Sequence, residues 1–103
     1  MWLSWLRALN KRAHSRVTFP NHSRSYDAIE RGVRFWGYDQ SMEASFLMTT
    51  EAFRCVAPGV QPQEAADLLR VFDTNRDHIC AIAAKVYSRD GTDFCKLMAA
   101  DFS

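Results

Sequence analysis

The run Val17-Thr18-Phe19-Pro20-Asn21-His22-Ser23-Arg24-Ser25-Tyr26-Asp27-Ala28-Ile29-Glu30-Arg31-Gly32-Val33-Arg34-Phe35-Trp36-Gly37-Tyr38-Asp39 changes pattern twice at turn residues and otherwise keeps a period of two. It reads as paired β-strands. Phe19-Pro20-Asn21 ends a short first strand, because proline donates no ladder hydrogen bond and asparagine favours turns. Tyr26 to Ile29 and Val33 to Tyr38 then form a hairpin joined through Glu30-Arg31-Gly32, in which Gly32 is expected to supply a positive φ.

Downstream, Asp39-Gln40-Ser41 is a polar turn, and Glu43 to Thr49 returns as a strand with Ala44, Phe46 and Met48 alternating against Ser45, Leu47 and Thr49. Thr49 or Thr50 caps a short helix running to Val56 or Ala57, which Pro58-Gly59 stops. The strongest helical signal follows. Pro62 suits a first helical position, Glu64 suits the positive helix start, and Ala65, Leu68, Leu69, Phe72, Ile79, Ile82, Ala83 and Val86 share one stripe. Helix propensity falls at Asp73-Thr74-Asn75-Arg76, where Thr74 could cap a second helix. Phe72 and Ile79 nevertheless stay in phase, so the expectation is one continuous helix from Pro62 to Ser88. Arg89-Asp90-Gly91 turns the chain, and Asp93 to Met98 makes the last strand.

Strands, then helices, then a closing strand give an α+β domain: an antiparallel sheet of four to five short strands with one short and one long helix on one face. With 103 residues there is room for one domain, residues 17–103, and a modest core. Residues 1–16 form a separate block without an acidic residue, in which Trp2, Trp5, Leu6, Leu9 and Ala13 recur at helical spacing among Arg7, Lys11 and Arg12. Two readings stand. The block is a basic amphipathic segment for a membrane surface or a protein groove, or it is a frayed, disordered extension. No apolar run approaches the length needed to span a bilayer, and neither a charged leader nor a small-residue cleavage site marks a signal peptide.

The net charge of +1 hides a basic front, up to Arg34, and a mildly acidic remainder. Such a front attracts phosphates or anionic lipid, although the same asymmetry also serves solubility. Cys55, Cys80 and Cys95 are odd in number and irregular in spacing, which argues against a disulfide framework and for a reducing cytoplasm.

Chemistry is sparsely signalled. His22, Cys55, His78, Cys80 and Cys95 contain no close ligand pair of zinc type, so neither metal nor cofactor is expected. Nor does any Gly-x-Ser-x-Gly elbow, phosphate-cradling glycine loop or convergent carboxylate pair point to an enzyme. Alternation leaves one surface to explain. If Val33 and Phe35 face the helices, then Arg34, Trp36 and Tyr38 face away, and Leu47 joins them. Trp, Tyr and Arg are enriched in protein interfaces, so this face is expected to bind a protein partner or a second copy as a homodimer. The alternative is a nucleic-acid-associated or regulatory protein that stacks bases on the same face and holds phosphates with Arg24 and Arg31.

Several ordered blocks also resemble a family of short bacterial proteins catalogued as domain of unknown function 1488. They are Phe19-Pro20-Asn21, Ser23-Arg24-Ser25-Tyr26-Asp27 and Val33-Arg34-Phe35-Trp36-Gly37-Tyr38-Asp39, followed by Asp67-Leu68-Leu69, Phe72-Asp73-Thr74-Asn75-Arg76, Ala83-Ala84-Lys85-Val86-Tyr87 and Ala99-Ala100-Asp101-Phe102. The resemblance covers Val17 to the end. It implies a compact α+β domain and places residues 1–16 outside the family pattern, but it implies no catalytic or binding residue.

Overall fold

A computed structural model describes residues 17–59 and 64–103. The expectations for residues 1–16 and for Pro62 lie outside them. Among the described residues the architecture is α+β, a five-stranded, mostly antiparallel sheet with three helices. Strands β1 (Val17–Thr18), β2 (Arg24–Asp27), β3 (Gly32–Asp39) and β4 (Met42–Thr49) precede helices α1 (Thr50–Val56), α2 (Ala65–Thr74) and α3 (Arg76–Asp90). Strand β5 (Phe94–Leu97) and a 3₁₀ turn at Ala99–Phe102 close the chain.

The long strands β3 and β4 are joined by a two-residue turn in which Gln40 takes a φ of 59°, and they pair antiparallel from Gly32↔Thr49 to Asp39↔Met42. Both β1 and β2 pair with the outer side of β3, at its opposite ends. On the far side β5 joins β4 in parallel, with Ser45↔Phe94 and Leu47↔Lys96. The expected sheet is therefore antiparallel except at this last pair. The reason is the return path: three helices carry the chain from the end of β4 back along the sheet, and a crossover of this kind delivers the next strand parallel.

Alternation places Val33, Phe35, Ala44, Phe46, Met48, Cys95 and Leu97 on one face with Leu68, Phe72, Ile79, Ala83 and Val86 of the helices. Phe35 stacks on Phe46 with ring centroids 5.2 Å apart, and Phe72 meets Phe35 at 5.0 Å. Phe46, Phe53 and Phe72, each at most 1% exposed, anchor this core. Burying one such ring contributes roughly 1.5–3 kcal/mol.

Two local expectations change. The hairpin turn between β2 and β3 places its positive φ at Arg31, 58°, while Gly32 already belongs to β3. The Asp27 carboxylate accepts from the backbone N–H groups of Ile29 and Glu30, and the Arg31 N–H donates to the Asp27 carbonyl, so the turn closes before Gly32 is reached. What Gly32 supplies is space: a Cβ there would collide with the Met48 carbonyl oxygen and lie 3.0 Å from Leu47 Cδ1.

The helix expected to be continuous is broken at Asn75. Asn75 sits at φ −108°, ψ 18°, and its side-chain amide donates to the Val71 carbonyl, while the Thr74 hydroxyl donates to the carbonyl of Arg70. Side chains of this type compete with the helical ladder for its carbonyls. The bend keeps Phe72 and Ile79 buried. It also sets Arg76 where its guanidinium donates to the carbonyls of Phe19 and Asn21, which fastens the β1–β2 connection. The short helix matches expectation, with the Thr49 hydroxyl accepting from the Ala52 N–H.

Candidate functional site

The sheet face opposite the core is built by the register. Its rows, read across the strands, are Asp27–Gly32–Thr49, then Ser25–Arg34–Leu47–Lys96, then Trp36–Ser45–Phe94, then Thr18–Tyr38–Glu43. Arg34, Trp36 and Tyr38 thus lie together on one face, and all three are half-buried. Leu47 shares the face but is only 1% exposed, so it supports the surface and offers no contact area.

Arg34 explains part of that burial. Its Nε donates to the Asp27 carboxylate at 2.6 Å, and its guanidinium carbon lies 5.7 Å from the centre of the Phe94 ring. Because β4 runs between β3 and β5, this contact crosses β4 beside Leu47. Asp27 is held below the usual carboxylate range, first by the Glu30 backbone N–H and then by Arg34. The charge of Arg34 is consequently matched within the molecule. Tyr38 is tied more loosely, its hydroxyl 3.4 Å from Glu43 Oε2.

Sequence reasoning missed Phe94, which is 45% exposed on this face. Its alternation with Cys95 and Lys96 was visible. The face it occupies follows only from the parallel pairing with β4.

A second, polar feature lies at the bend between α2 and α3, a cleft of about 630 Å³ lined by His22, Arg24, Asp73, Arg76, Asp77 and His78 among others. Arg24 grips Asp73 with two hydrogen bonds of 2.8 Å, which lowers the Asp73 pKa and raises its own. Two further arginine groups are internally matched, Arg70 with Asp67 and Arg89 with Asp90 and Asp101. Among the described residues no three His, Cys, Asp or Glu side chains converge as a metal site would require. The Cys80 and Cys95 thiols are both pushed up by burial, away from the thiolate form.

Comparison with known proteins agrees with the resemblance read from the blocks. A family model described as "Protein of unknown function (DUF1488)" matches residues 17–96. The chain belongs to this family. The match ends before the Ala99–Phe102 block, which was also read as family-like. A crystal structure of a DUF1488-family protein of unknown function from Shewanella loihica PV-4 superposes with a TM-score of 0.71. That alignment has 14% identity and covers 82% of this chain and 93% of the Shewanella protein, a likeness of fold. No curated protein matches the chain. Among the described residues no helix is long and apolar enough to cross a membrane.

Proposed function

We propose that this DUF1488 protein is a non-enzymatic interaction module that binds a protein partner through the outer sheet face. One observation carries the reading. Trp36, Tyr38 and Phe94 stand together on the face opposite the helices, rimmed by Arg34, Glu43 and Lys96. Half-buried aromatics held by a rigid sheet present large contact area at little entropic cost, the character of interface anchors. The Cys80 and Cys95 thiols are pushed away from the thiolate form, and the Asp27 and Asp73 carboxylates are held by arginines, so none of these four groups offers an activated nucleophile or a free general base. Three free cysteines suit a cytoplasmic setting.

The same geometry favours a protein over nucleic acid. Phosphate binding needs unmatched cations beside the stacking face, whereas Arg24 and Arg34 already hold Asp73 and Asp27 and Arg31 lies in the β2–β3 turn, not on a strand of the face. A photoreactive residue at position 45, in the middle of the face, tests the reading against one at position 81, exposed on α3. Cross-linking in the native cell should give a protein adduct from 45 and none from 81. No adduct from 45, or the same adduct from both, would refute it.

A further inference from the structure

Resting on that reading of the outer face, we infer that its partner is a second copy of the chain, packed sheet to sheet about a two-fold axis that runs across the strands between the Arg34 row and the Trp36 row. The register makes the face complementary to itself under this operation. The axis lays β3 antiparallel on β3, β4 on β4 and β5 on β5, and it exchanges the two central rows and the two outer rows. Arg34 then faces Trp36 of the second copy, and Lys96 faces Phe94 of the second copy. Both pairs occur twice. Each sets a cation against an aromatic ring. Tyr38, the bulkiest member of its row, faces Gly32, the residue of its row without a side chain, and Ser45 faces Leu47.

Charge agrees with shape. Asp27 meets the Thr18 row and Glu43 meets Thr49, so no two like charges are opposed. Stacked sheets lie about 10 Å apart, and aligned packing with antiparallel strands is one of the two arrangements they adopt. Turned instead about an axis along the strands between β3 and β4, the same faces set Trp36 against Ser45 and Arg34 against Leu47, and both cation–aromatic pairs are lost. A net charge of +1 opposes self-association little.

Sedimentation equilibrium of the full chain through the micromolar range tests the inference. The expected result is a reversible dimer whose dissociation constant rises about tenfold or more in Trp36→Ala, a central aromatic anchor counted twice by symmetry. Lys96→Glu, at an exposed position that the fold does not need, should weaken the dimer in the same direction with an unchanged circular dichroism spectrum. Ile29→Ser, at the 91% exposed turn away from the face, should leave it unchanged. A chain that stays monomeric, or a dimer indifferent to both Trp36→Ala and Lys96→Glu, overturns the inference. A monomer that still cross-links to a foreign protein from position 45 overturns the two-fold dimer and leaves the interaction reading standing; a monomer with no adduct ends both.

Discussion

Gly32→Ala is the sharpest test of how the hairpin is held. The added methyl points at the outer face, into the Met48 carbonyl oxygen, with Leu47 Cδ1 3.0 Å away. The first neighbour is backbone of the paired strand β4, so relief requires β3 and β4 to separate locally. Overpacking of this kind costs about 1–3 kcal/mol, and an unyielding backbone neighbour belongs at the upper end. Against it stands the lower unfolded-state entropy of alanine, worth about 0.4–1 kcal/mol. The net expectation is a loss of about 2 kcal/mol, or a fall in Tm on the order of 10 °C for a domain of this size. Urea denaturation followed by far-UV circular dichroism measures it directly, with an unchanged m-value as the sign that only stability moved. Arg31→Gly is the companion variant, because the positive φ is at Arg31. Relief of left-handed strain offsets the greater freedom of an unfolded glycine, so its effect should be small or stabilising. If Gly32→Ala stays within about 0.5 kcal/mol of wild type while Arg31→Gly costs more than about 1 kcal/mol, the division of roles between the two residues is wrong.

Three further outcomes are expected. Thr49→Ala removes the acceptor for the Ala52 N–H and the donor to the Leu97 carbonyl at a 5% exposed site, and should cost about 1–2 kcal/mol in urea titration. Breaking Arg24–Asp73 by Asp73→Ala should cost under about 1 kcal/mol, less at high salt, because Asp73 is half exposed; a loss of several kcal/mol would mean the pair does more than bridge β2 to α2. The Asp27 pKa is depressed by the Glu30 N–H and by Arg34, so its contribution is present above the unfolded carboxylate pKa and is lost as pH falls through the lower folded value. Asp27→Asn should therefore flatten the acid limb of the stability profile below about pH 4, and a limb identical to wild type would exclude this role.

Much of the fold was legible because it is local. Alternation in Val33–Phe35 and in Ala44–Phe46–Met48 set the strand faces, and Thr49 with Pro58 bounded the first helix. Arg34, Trp36 and Tyr38 were placed on one face for the same reason. The rest depended on neighbours distant in sequence. Phe94 entered the candidate site, and Leu47 left its exposed part, once β5 was seated beside β4. Arg24 and Asp73 are 49 residues apart, so their pairing had no signature in spacing.

By itself, then, the sequence determined periodicity, caps and family membership, since each depends on residues within a few positions of one another or on their order. The tertiary structure decided the parallel seat of β5, the place of Phe94 on the outer face and the matching of Arg24 with Asp73. Those outcomes depend on where a side chain or strand meets its partner after the chain has returned upon itself. Backbone dihedrals and hydrophobic period do not encode that meeting; packing of the helices against the sheet does.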